Sequence, residues 1–242
     1  MKKIFSLIPL IFLGCASSLT VTNPKYKSAD FSSNCIALWP LNSKDIAMTN
    51  EDDVVDDFGK TDKRMPCDII RDSCFFVMQN EIFKTKKKSM NVYKIDNNEP
   101  FISLSSDAYF NATYMVGKDS LPIAFSIPKK DSIKIKADLV LIINKMIFTR
   151  DNGSSSGGVM VGGGVGGGMM MMGGGGSFPE LDVKFNYIIW NYADSQPVCY
   201  GQKYTGSSFL FAMTHATWTG CFDNIIHKAF ENTPFELKVP GR

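Results

Sequence analysis

Residues 153–177, GSSSGGVMVGGGVGGGMMMMGGGGS, hold 13 glycines and 5 methionines in 25 positions and no charge. Such a stretch supplies no unique core, because glycine loses the most entropy on ordering and methionine fills space without fixing it. The expectation is a disordered low-complexity insertion. The two clearest strand patterns of the chain flank it. On one side, IKIKADLVLIINKMIF within Ile133 to Thr149 alternates and then runs continuously apolar, as a central strand does. On the other, Leu181, Val183, Phe185, Tyr187 and Ile189 alternate with Asp182, Lys184 and Asn186 up to Trp190. Two strands joined by a run that builds nothing of its own belong to one sheet. Phe148 and Phe178 close the domain around the run, which makes it an insertion rather than a domain linker. Its uncharged, apolar character also suits contact with a membrane or partner, and methionine sulfurs ligate Cu(I).

The rest of the chain supplies a sheet partner and its cover. NYADSQP reads as a turn leading into the strand VCYGQKY, which completes a hairpin. Phe222, Ile225, Ile226, Ala229 and Phe230 fall at i, i+3, i+4, i+7 and i+8 of a helix that Pro234 stops. Upstream, Cys35 to Leu41 reads as a buried strand, 45–58 as a polar helix and Asp68 to Lys88 as a helix ending in lysines. Asn91 to Ile95 reads as a strand and 104–116 as a further helix. With 242 residues, 44% of them apolar, the chain has enough material for a real core. The fold class expected is α/β (α+β): a single mixed β-sheet with covering helices, interrupted by the Gly/Met-rich insertion.

The amino terminus, MKKIFSLIPLIFLGC, places two lysines before a ten-residue apolar run and then Gly14 and Cys15. This is the composition of a secretory leader. At about 1.5 Å per residue the run covers roughly 15 Å, half the hydrocarbon thickness, so it is too short to span a bilayer. Phe12-Leu13-Gly14-Cys15 resembles the lipobox of bacterial lipoproteins, although Phe12 and Leu13 are bulkier than is usual there. That resemblance implies a signal peptide over 1–14, acylation of Cys15 and a flexible Ser/Thr-rich tether over 15–32. Ala16, where aspartate would direct retention at the inner membrane, implies the outer membrane with the protein facing the periplasm. The competing reading is a plain secreted protein cut at Ala16 or Ser18, with Cys15 incidental. The folded part is expected over 33–242 as one domain.

Lysine plus arginine total 26 against 24 acidic residues, and loss of Lys2 and Lys3 with the leader leaves 24 against 24. No global field draws such a chain to nucleic acid.

Beyond Cys15 there are five cysteines, Cys35, Cys67, Cys74, Cys199 and Cys221. In an oxidising compartment two disulfides and one free or intermolecular thiol are the natural expectation, with Cys199–Cys221 and Cys67–Cys74 as candidate pairs. No C-x-x-C pattern suggests zinc. His215 and His227 are the histidines of the chain. His227 is expected as a solvated surface residue, and His215, near Cys221 in sequence, lacks an activated thiol partner. Asp52, Asp53, Asp56 and Asp57 have the spacing to stack carboxylates on a helical face, but no calcium-loop pattern surrounds them, so a solvated helix start capped by Thr49 or Asn50 is expected. KTKKK at 84–88 reads as a solvated helix end, with contact to anionic lipid as the alternative. Gly153-Ser154-Ser155-Ser156-Gly157 and Gly162, Gly164 and Gly167 match a nucleophile elbow and a dinucleotide fingerprint only in letters, since no helix pattern follows either. Trp39, Trp190 and Trp218 are expected in the core or at a sheet edge.

The ordered series NCIALWPLN, QNEIFKTKKKSMNVYKID, KADLVLIINKMIF, FNYIIWNYADSQPVCYGQ and TPFEL resembles the envelope lipoproteins related to the amino-terminal domain of the Tol–Pal translocation protein and to the curli-secretion channel lipoprotein. The likeness spans about 33 to 238 and rests on pattern rather than on a rare motif. It implies a mixed α/β domain acting in envelope transport or assembly. The expectation is therefore a lipid-anchored, non-enzymatic envelope protein without cofactor or metal. Its partners are the membrane, through acyl chains on Cys15, and envelope proteins; a homo-oligomer is compatible. The alternatives are an exported hydrolase using His215 and a carboxylate, and an oligomeric secretion-pore component.

Overall fold

The computed structural model describes residues 19–49, 51–59, 62–86, 90–94, 108–116, 119–127, 136–151, 178–210 and 212–236. The leader, Cys15 and the insertion 153–177 lie outside the described residues. In chain order the elements are β1 (Leu19–Thr22), a 3-10 turn at Pro24–Tyr26, β2 (Cys35–Leu38), a second such turn at Ser43–Asp45 and β3 (Ile46–Met48). These are followed by α1 (Glu51–Phe58), α2 (Pro66–Lys86), β4 (Asn91–Tyr93), β5 (Ala108–Val116) and β6 (Asp119–Ile127). The long strands β7 (Leu139–Asp151), β8 (Glu180–Asn191) and β9 (Gln196–Ser208) lead to α3 (His215–Phe230).

The fold is α/β with one large mixed sheet. Its order is β1-β9-β8-β7-β2-β4, with β3 also paired to β7, while β5 and β6 form a separate two-stranded sheet. β2 and β3 both run parallel to β7, β2 beside Leu139–Leu141 and β3 beside Met146–Phe148. On the other side β7, β8, β9 and β1 are successively antiparallel.

The burial of β7 explains its sequence. Leu139 through Ile143 are buried consecutively, on both faces of the strand. One face lies under the helices: Phe148 packs against Trp218 of α3 with ring centroids 5.6 Å apart. The other lies under the β5–β6 hairpin, where Phe110 meets Trp190 at 6.0 Å and Tyr200 at 5.1 Å. Asn144 donates from Nδ2 to the Ala124 carbonyl at 3.0 Å and ties the hairpin to the sheet. Past Asn144 the ladder slips at a bulge, with Lys145 at φ 48°. Beyond it Met146 and Phe148 are buried while Ile147 is exposed, the alternation of a strand covered on one face only.

α3 begins at Thr214 and Thr217, which cap one another, and buries Trp218, Cys221, Phe222, Ile225, Ile226, Ala229 and Phe230. These include all five positions the helical spacing selects. Burying an aromatic residue such as Trp218 removes about 150–250 Å² from water, several kcal/mol at roughly 25 cal/mol per Å².

Several expectations are corrected. From Leu19 onward the tether expected over 15–32 belongs to the fold: β1 pairs with β9, and Tyr26 and Phe31 are buried. The helix expected over 104–116 is β5 from Ala108 onward, paired along its length with β6. The polar helix over 45–58 begins only at Glu51, because Ile46–Met48 pairs with β7. Phe148 closes the core as expected, whereas Phe178 is exposed.

Candidate functional site

The expected disulfides do not form: all five cysteines are free thiols. Cys67 and Cys74 lie seven residues apart on α2, about 10 Å along the axis, beyond the reach of a disulfide. Cys199 is buried in β9. Cys74 and Cys221 are buried on the packed helices α2 and α3. Burial pushes the thiol of Cys74 well up, with Cys221 adding to the effect, and raises Cys199 and Cys221 likewise. Cys35 and Cys67, half-buried, are raised by the same cause. A thiol held neutral is a poor nucleophile and metal ligand.

The acidic cluster does not stack its carboxylates around a common site. Asp53 pairs with Nη1 of Arg150 at 3.1 Å, and Asp57 turns inward to accept a hydrogen bond from Nε1 of Trp218 at 2.9 Å. Burial raises the Asp57 carboxyl; the indole N–H opposes this, Asp53 and Asp56 add to it, and the nearby His215 lowers it. His215 lies edge-on to Phe58 at 4.9 Å, with Nδ1 3.5 Å from the hydroxyl of Thr219. His215 and Asp57 thus share one corner of the molecule, but each is engaged by another group. Among the described residues no three His, Cys, Asp or Glu side chains converge to hold a metal. His227 is 53% exposed and places Nε2 3.3 Å from Oε1 of Glu81 on α2, so it links the two helices rather than standing alone in solvent.

The lysine run at the end of α2 is only partly solvated. Lys84 is exposed beside Glu81, but Lys86 is buried, donates from Nζ to the Phe235 carbonyl and lies 4.3 Å from the centroid of the Phe230 ring. Burial lowers its pKa to about 8, with Glu236 opposing. Lys203 of β9, also buried, donates to the Glu231 carbonyl at 3.1 Å, and burial lowers it too. Two ammonium groups therefore grip the turn after α3, Lys203 at the helix cap Glu231 and Lys86 further on at Phe235. Sequence reasoning missed this clasp, since nothing local separates Lys86 from Lys84.

Trp39 and Trp218 are buried in the core, and Trp190 is half-buried under Phe110. The motif matches at 153–167 lie outside the described residues. Among the described residues no helix is long and apolar enough to cross a membrane.

No protein-family model matches the chain, and no curated protein matches it. Among solved structures it is similar to PelC dodecamers from Paraburkholderia phytofirmans in two crystal forms, one of them a point variant. For the variant the identity is 8% and the TM-score 0.35, with 92% of this chain and 98% of that chain covered. For the second form the identity and TM-score are the same, with 91% and 99% covered.

Proposed function

We propose that this chain is a lipid-anchored, non-enzymatic envelope protein, an accessory or scaffold for transport or assembly at the outer membrane, held there by acyl chains on Cys15. The observation that carries this reading is the ten-residue apolar run after Lys2 and Lys3 that ends in Gly14-Cys15. Two or three acyl chains at about 0.8 kcal/mol per buried methylene suffice for stable anchorage. The face of the sheet opposite the helices, crossed by the β5–β6 hairpin and bearing the exposed Tyr109, is the surface offered to a protein partner.

Palmitate labelling of wild type and Cys15→Ala in intact cells, followed by fractionation, tests the reading. Loss of label together with release from the membrane fraction is the expected result. Label and membrane retention that both survive the substitution would overturn it.

The proximity of His215 and Asp57 favours a second reading, an exported hydrolase. It requires that His215→Ala abolish a hydrolytic activity of the purified protein while leaving its melting temperature unchanged.

A further inference from the structure

Cys15 stands four residues before Leu19, so the anchored residue lies within about 14 Å of the first residue of β1 even if the chain between them is fully extended. β1 is an edge strand. It runs antiparallel to β9, with Leu19 opposite Gln202 and Thr22 opposite Cys199, so the residues before it approach from the side of the later β9 residues. β1 covers β9 only over Cys199–Gln202. Among the described residues the outer edge of β9 from Lys203 to Ser208 has no partner strand.

The same corner carries exposed apolar side chains. Tyr204 is 42% exposed on this stretch, and Leu210, just past its end, is 62% exposed. Phe178 is 48% exposed and adjoins the pair, since the Phe209 amide donates to the Pro179 carbonyl at 2.9 Å. The chain also leaves β7 at Asp151 and re-enters β8 at Glu180 here, opposite Ser208. Exposed aromatic and aliphatic side chains beside an open strand edge are costly in water and favourable at a lipid interface.

We propose that this corner, formed by the start of β1, the open edge of β9 and the apolar pair Phe178 and Leu210, rests on the phospholipid bilayer. The proposal builds on the acylation of Cys15 and adds which surface of the body faces the lipid. Docking is apolar rather than coulombic, because the charges at the corner are of mixed sign: Asp151 and Glu180 stand beside Arg150, which lies 5.3 Å from the Phe209 ring. The opposite corner, at Asn91 of β4, lies four strand spacings from β9 across the sheet, about 19 Å, and at the other end of the strands. Along β8 that separation is about 37 Å. It points to the periplasm.

The test uses the mature acylated protein in vesicles of phosphatidylethanolamine and phosphatidylglycerol that carry a headgroup spin label. A fluorophore is placed at Ser208→Cys or at Asn91→Cys, in a background with Cys35→Ser and Cys67→Ser. Quenching several-fold stronger at 208 than at 91, equal at 0.1 and 0.5 M salt, is expected. Phe178→Ser with Leu210→Ser should narrow that difference while the acyl chains keep the protein bound. Equal quenching at both positions in vesicle-bound protein overturns the orientation and leaves the anchor standing. A purified native chain whose mass shows no acyl groups overturns the anchor and this inference together.

Discussion

The indole N–H of Trp218, on a side chain fully withdrawn from water in α3, donates to the carboxylate of Asp57 in α1 at 2.9 Å. This hydrogen bond joins two elements 161 residues apart and satisfies the polar atom of a large core aromatic residue. Replacing Asp57 by alanine leaves a buried donor unpaired, which costs about 1–3 kcal/mol. Asp57→Asn retains an acceptor oxygen and should lose less. Urea denaturation of the two variants decides it: equal losses would mean that the indole finds another acceptor.

Lys86 gives the protein a pH dependence of definite sign. Its ammonium loses the proton near pH 8 in the fold and near 10.5 in the unfolded chain, so between those values the unfolded state binds more protons. Stability from this group therefore rises with pH across that window and is lowest below pH 8, where the buried charge costs roughly 3 kcal/mol. Relative to Lys86→Met, the wild-type protein should gain about 1 kcal/mol between pH 8 and pH 9. Parallel stability curves for the two proteins would contradict this.

The buried thiols act in the opposite direction. Cys74, Cys199 and Cys221 stay protonated in the fold above the ordinary thiol value of 9.0. Their contribution is intact below pH 9 and is lost above it, at about 1.4 kcal/mol per pH unit for each thiol. Cys199→Ala should flatten the alkaline limb of the stability curve by that slope. Alkylation of the native protein at neutral pH should modify the half-buried Cys35 and Cys67 first and the other three only after unfolding. Protein purified from an oxidising compartment that lacks free thiols at 74 and 221 would refute this assignment.

The β1 backbone passes directly over Gly201 of β9. A methyl group there would strike the carbonyl of Leu19 in the neighbouring strand. Gly201→Ala should displace the short strand, cost about 1–3 kcal/mol and expose residues 19–22 to proteolysis. An unchanged digestion pattern would show that β1 stays paired and the added methyl group is accommodated.

The long elements were legible because local pattern and tertiary burial agree in them. The spacing of Phe222, Ile225, Ile226, Ala229 and Phe230 marks the face α3 turns inward, and β8 alternates strongly enough to read as a strand although both of its faces, Asp182 and Asn186 included, are buried. β1 was not legible: LTVT is four residues in a polar setting, and only pairing with β9 makes it a strand. In β6 the alternation of buried Ile123, Phe125 and Ile127 with exposed Pro122, Ala124 and Ser126 was present, but Pro122 argues against a strand unless that strand is an edge. β5 follows from its pairing with β6 rather than from its own residues. Lys86 and Lys84 look alike in sequence, and only the return of the chain after α3 buries one of them. Cysteine pairing is likewise tertiary information, and the helix that holds both Cys67 and Cys74 keeps them apart.

The ladder between β7 and β8 closes flush at Asp151 opposite Glu180. Whatever is spliced between them, the framework already holds the two ends together, and by loop-closure entropy doubling the length of a connection costs only about 0.6 kcal/mol. Evolution can therefore lengthen, shorten or rewrite that span with little thermodynamic penalty, and related chains are free to diverge there while keeping the same scaffold.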